Sequence, residues 1–81
     1  QDTIGHYRVK AITEIADFNQ TLGAKFDDED YDTIGGLVLN KFGRLPKRGE
    51  SVMIGDFKFA VLLADSRRLH TLLVEKIGGE D

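Results

Sequence analysis

Two histidines, His6 and His70, are the groups in this chain best suited to general acid or base work, and there is no cysteine to act as a thiolate nucleophile or ligand. Neither histidine has an acid or thiol beside it in sequence, and a catalytic base needs both an orienting partner and a nucleophile within hydrogen-bond reach. Both are therefore read as surface or edge histidines. No His-Glu-x-x-His or paired His/Cys spacing occurs, which removes the usual zinc and transition-metal patterns. A denser group is the run of carboxylates Asp27, Asp28, Glu29, Asp30 and Asp32. Oxygen donors suit a divalent cation such as magnesium, cobalt, manganese or calcium, so these five are the candidate metal ligands. Their spacing matches no EF-hand loop, and a run of like charges is more often a solvated loop.

Gly35 and Gly36, in the step Ile34-Gly35-Gly36-Leu37, need a reason, because each glycine in the first turns of a helix costs about 1 kcal/mol relative to alanine. One reading makes Thr33, Gly35 and Gly36 an anion site, with bare helix-start amides facing a phosphate or carboxylate. The other is close packing of the helix on the sheet or on a neighbouring helix. Packing is preferred, since neither a phosphate-loop lysine motif nor a dinucleotide fingerprint accompanies the glycines. The basic residues Lys41, Arg44, Lys47 and Arg48 form a solvated rim suited to an acidic surface elsewhere.

The elements that must position these groups follow from periodicity. Tyr7 and Val9 alternate within a first strand over Ile4 to Val9, and Thr13 is placed to cap a helix. Ile15, Phe18 and Leu22 recur at spacings of three and four, which makes one apolar helical stripe, and Gly23 stops it. After the acidic loop, Asp32 or Thr33 caps a second helix whose Ile34, Leu37, Val38 and Phe42 share a side before Gly43 and Pro46 end it. Val52 and Ile54 then alternate up to Gly55-Asp56, a two-residue hairpin turn. Phe57, Phe59, Val61 and Leu63 are expected to point one way in the next strand; Asp65-Ser66-Arg67 turns the chain, and Leu69 to Ile77 returns as the last strand. The order predicts a two-layer α+β sandwich, β-α-α-β-β-β, with both helices on one face of a four-stranded, mainly antiparallel sheet. The terminal residues 78–81 are expected to be a disordered tail. Leu39 falls on the far side of its helix, and Leu62 and Leu73 fall off the main apolar phase of their strands. These three are the candidate interface residues, for a homodimer or for another domain.

Eighty-one residues make one domain, near the lower end of what folds without staples. Residues 1–40 carry eight acids and three bases, residues 41–81 six acids and eight bases, and the net charge is −3. An acidic domain without a basic stripe is a poor match for nucleic acid or for an anionic membrane. The longest apolar runs, such as Ala60 to Ala64, are too short to insert in a bilayer, and no signal-peptide pattern is present. The chain starts at Gln1, which reads as an excised piece of a longer protein.

The stretch from Asp30-Tyr31-Asp32-Thr33-Ile34-Gly35-Gly36-Leu37-Val38-Leu39, through Phe42-Gly43-Arg44-Leu45-Pro46 to Gly49-Glu50, resembles the signature of the CorC/HlyC transporter-associated domain. The resemblance extends to Ile15-Ala16-Asp17-Phe18-Asn19 with Leu22-Gly23 and to Ala64-Asp65-Ser66-Arg67-Arg68-Leu69, and so covers roughly residues 5–77. It implies a non-catalytic, cytoplasmic module that modulates ion transport, placed after a pair of CBS domains and, in some relatives, behind a membrane-spanning transporter component. The family fold also resembles a subdomain of flavin-binding oxidases; flavin enters by that analogy alone, since the chain has no glycine-rich pyrophosphate fingerprint.

Overall fold

The computed structural model describes residues 5–77. Its elements are β1 (His6–Lys10), α1 (Ile15–Leu22), α2 (Ile34–Phe42), β2 (Ser51–Ile54), β3 (Phe57–Ala64) and β4 (Leu69–Lys76). The order and number of elements are those the periodicity predicts. The four strands form one antiparallel sheet in the order β1-β4-β3-β2, so the first strand closes beside the last. The segment 78–81, expected to be disordered, lies outside the described residues.

Pleating sorts the sheet into two faces. On the inner face Val9 stands opposite Leu72 and Val61, while Tyr7 stands opposite Val74 and Phe59, with Val52 completing the row. Ile15 and Phe18 from α1 and Ile34 and Val38 from α2 join Phe59, Val61, Leu72 and Val74 in a single buried cluster, with Val9 and Val52 packed against it, which puts both helices on that face. Phe18, Phe26, Phe57 and Phe59 stack about one another with ring centroids 5.6 to 6.4 Å apart, the separation that aromatic pairs favour. No helix of the described residues is long and apolar enough to cross a membrane.

Both helices end as expected, at Gly23 and Gly43, each in the left-handed conformation with φ of 71° and 74°. Thr33 is the N-cap of α2 and accepts the Gly36 N–H on Oγ1 at 3.1 Å. Thr13, expected to cap α1, does not; the N-cap is Glu14, without a side-chain cap bond. The backbone explains the shift: Ile15 N–H donates to the Asp32 carbonyl at 2.9 Å and Ile34 N–H to the Thr13 carbonyl at 2.8 Å, a small antiparallel bridge joining Glu14 to Thr33. The two helix starts are thus tied to each other, and Thr13 serves through its carbonyl.

Leu63 departs from the expected alternation. It stands opposite Thr71 and is 54% exposed, whereas Phe57, Phe59 and Val61 are buried. Register shifts between Val61 and Leu63 and between Leu63 and Ala64 insert extra residues on both strands, so the apolar phase slips by one at this end.

Candidate functional site

The acidic segment is held from below by a side chain that imitates a strand. Asn19 of α1 donates from Nδ2 to the Phe26 carbonyl at 2.9 Å and accepts the Phe26 N–H on Oδ1 at 3.1 Å, which pins the start of the loop. Beyond it Asp27, Asp28, Glu29, Asp30 and Asp32 are all exposed, and Asp27 Oδ1 accepts the Glu29 N–H at 2.9 Å. Asp28 and Asp32 line a shallow hollow with Glu14 and Ala16, so the structure brings two of the five together with an acid the sequence reading left out. Among the described residues no three of His, Cys, Asp or Glu lie close enough to hold a metal ion.

The glycine pair is used for packing. A Cβ on Gly35 would lie 2.7 Å from Ala11 Cβ and 2.9 Å from the Ala11 carbonyl oxygen, closer than such contacts come. The Gly35 N–H donates to that same carbonyl at 2.8 Å, so the helix start lies directly on the end of β1. The remaining amides of the first turn are likewise taken, Ile34 by Thr13, Gly36 by Thr33 Oγ1 and Leu37 by the Thr33 carbonyl. The alternative reading of Thr33, Gly35 and Gly36 as an anion site needs N–H groups turned outward, whereas these amides are hydrogen-bonded within the fold.

Each histidine meets a carboxylate that sequence distance concealed. His6 Nε2 lies 3.2 Å from Glu75 Oε1, its opposite number across the β1–β4 ladder, and His70 Nε2 lies 2.9 Å from Asp65 Oδ2 across the β3–β4 turn. The two pairs sit five residues apart along β4, roughly 17 Å, so they do not converge on one cleft. Asp65 Oδ1 also accepts the Arg67 and Arg68 N–H groups at 2.7 and 2.8 Å, and His70 together with these amides holds the Asp65 carboxyl well below its ordinary range. Arg44 makes a two-pronged pair with Glu50, at 2.8 and 2.5 Å. Through that pair, and the Lys47 N–H at 2.8 Å, the Glu50 carboxyl falls from 4.5 to about 2. This pair braces the loop between α2 and β2 and occupies one member of the basic rim.

The three candidate interface leucines separate. Leu39 packs against the core cluster from α2, so it does not lie on a free side of the helix. Its helix is wrapped more broadly by the fold than a narrow stripe implies. Leu62 and Leu73 are half-buried and are not among the residues packed on that core. Leu73 stands on the outer face of the sheet between Arg8 and Ala60, with Ser51 beyond. Met53, 50% exposed, lies on the same face next to Lys58.

A four-stranded antiparallel sheet with both helices on one face, and half-buried apolar residues on the other, defines a small two-layer α+β domain. The chain belongs to the CorC_HlyC family: the family model described as "Transporter associated domain" matches residues 1–78. It is 56% identical over 68 residues to the magnesium and cobalt efflux protein CorC of Vibrio cholerae, covering 84% of this chain and 23% of that one. The chain thus spans under a quarter of that relative's length. Its fold matches the crystal structure of a CorC-associated region from Neisseria meningitidis, putatively of a Mg2+ and Co2+ transporter, with a TM-score of 0.91 and 45% identity over 95% of each chain. It also matches the CorC_HlyC domain of a Xylella fastidiosa hemolysin, solved in complex with magnesium and manganese, with a TM-score of 0.84 and 23% identity over 96% and 95% of the two chains.

Proposed function

We propose that this chain is a non-catalytic regulatory or interaction domain of a longer CorC-like magnesium and cobalt efflux protein, lying on the cytoplasmic side and modulating ion transport by docking. The observation that carries this reading is the outer sheet face, where Leu73 and Met53 stand among Arg8, Lys58 and Ser51, opposite the face on which both helices of the described residues pack. A face of this kind suits contact with other parts of the parent protein, whether its CBS domains or its membrane transporter component, or with a second copy.

Leu73→Asp in the full-length protein tests it. Cobalt efflux should change as much as it does when the domain is deleted, while the domain's own melting temperature moves little, because Leu73 lies outside the core. Efflux unchanged by both variants would refute a modulating role. Sedimentation at several concentrations examines the homodimer; a monomer that the substitution leaves unaffected counts against it.

A second reading makes the 27–32 segment a divalent-cation sensor. The presence of magnesium and manganese in the Xylella fold relative supports it, and the exposed carboxylates of Asp27, Asp28, Glu29, Asp30 and Asp32 are the oxygen donors it would use. Calorimetric titration with magnesium, cobalt, manganese and flavin nucleotide decides: millimolar binding or none for every ligand removes the reading.

A further inference from the structure

The phase slip at Leu63 opens a groove at one end of the sheet. Ile12, 80% exposed in the turn after β1, and Leu63, 54% exposed, line it together with Lys10, Arg68, His70 and Thr71. Two large apolar side chains standing side by side in water are a cost unless something covers them. The cations beside them have no carboxylate partner among the described residues. Asp65, the carboxylate of this end, is engaged by the Arg67 and Arg68 amides and by the His70 ring, and neither Lys10 nor Arg68 is in an ion pair among the described residues.

We propose that this groove receives an acidic, apolar segment of the larger protein to which the domain belongs, with an aliphatic side chain seated between Ile12 and Leu63 and carboxylates meeting Lys10 and Arg68. The proposal rests on the docking reading above and names the chemistry of its partner. Charge complementarity selects it: a second copy using the same groove would set Lys10 and Arg68 against their own counterparts, like charge facing like. An anionic lipid surface is repelled by the net charge of −3, and a plane does not fill a groove.

Ile12→Cys tests this, because it places a single thiol in a domain that has none, at a position whose exposure spares the core. Maleimide labelling of that thiol is measured in the 81-residue chain and in the full-length protein with its other cysteines replaced. Labelling should be about tenfold slower in the full-length protein, the slowing that roughly nine-tenths occupancy of the covered state produces. Adding Lys10→Glu with Arg68→Glu should restore the fast rate, while Lys10→Arg with Arg68→Lys should keep it slow. Equal rates in the two contexts would overturn the proposal. So would a rate in the 81-residue chain that falls with its own concentration, which assigns the groove to a second copy, or protection of that chain by phosphatidylserine vesicles, which assigns it to membrane. Labelling reads contact and efflux reads transport, so failure of this proposal and failure of the modulating role are separately visible.

Discussion

Replacing Gly35 with alanine would bring a Cβ within 2.7 Å of Ala11 Cβ and 2.9 Å of the Ala11 carbonyl oxygen. Overpacking of this kind costs about 1–3 kcal/mol, and the upper part of that range applies because one obstacle is backbone rather than a flexible side-chain tip. The same carbonyl accepts the Gly35 N–H at 2.8 Å, so the strand end cannot retreat without loosening the bond that docks the helix. Helix propensity returns about 1 kcal/mol, leaving a net loss of about 2 kcal/mol. In a domain of this size each kcal/mol moves the melting temperature by about 4–8 °C, so Gly35→Ala should lower it by about 8–16 °C. The adjacent position has the opposite sign. A Cβ on Gly36 meets Thr33 Oγ1 at 3.5 Å and the Tyr31 side chain at 3.6 Å, ordinary contacts, so propensity alone remains and Gly36→Ala should raise the midpoint by about 4–8 °C. Thermal and urea denaturation followed by circular dichroism measure both. Shifts of the same sign, or a Gly35→Ala variant as stable as the parent, would refute the close-packing account of this pair.

Three further outcomes follow from the same geometry. Thr33→Ala removes the side-chain acceptor of the Gly36 N–H and should cost about 0.5–2 kcal/mol in urea unfolding, with Thr33→Ser restoring most of it. Glu50 has a folded-state pKa depressed to about 2, so its contribution to stability is present above about pH 4.5 and lost as pH falls towards 2; Glu50→Gln should flatten the melting temperature across that window, and an unchanged acid limb would count against the Arg44–Glu50 brace. Phe59→Ala should destabilise by about 3–5 kcal/mol, whereas Leu63→Ala, on the exposed side of the bulge, should stay within about 0.5 kcal/mol; equal losses would contradict the phase slip.

The acidic loop and the glycine pair were visible as residue types, yet what they do was not. Composition shows five carboxylates in a row of six positions, but it takes the folded backbone to bring Glu14 beside Asp28 and Asp32. The His6–Glu75 pair was hidden for the same reason: the two are 69 positions apart and become neighbours only through strand pairing, while His70 and Asp65, five positions apart, are brought together by the β3–β4 turn. Of the interface leucines, the off-phase positions of Leu62 and Leu73 were legible, while Leu39 looked free because a helical wheel knows nothing of how far the surrounding layer wraps. The groove at Ile12 had no signal beyond one isolated isoleucine in a turn.

By itself, then, the order of residues determined the six elements, their stop signals at Gly23, Gly43 and Gly55, and the two-layer class, because helix and strand periods and turn chemistry act over a few neighbouring residues. Tertiary structure decided what depends on distant partners: the seat of β1 beside β4, the bridge that ties the two helix starts, the use of Gly35 as a contact point and the slip that turns Leu63 outward. Those features arise when backbone groups and side chains from separate elements compete for the same space and the same hydrogen bonds, a competition no local pattern records.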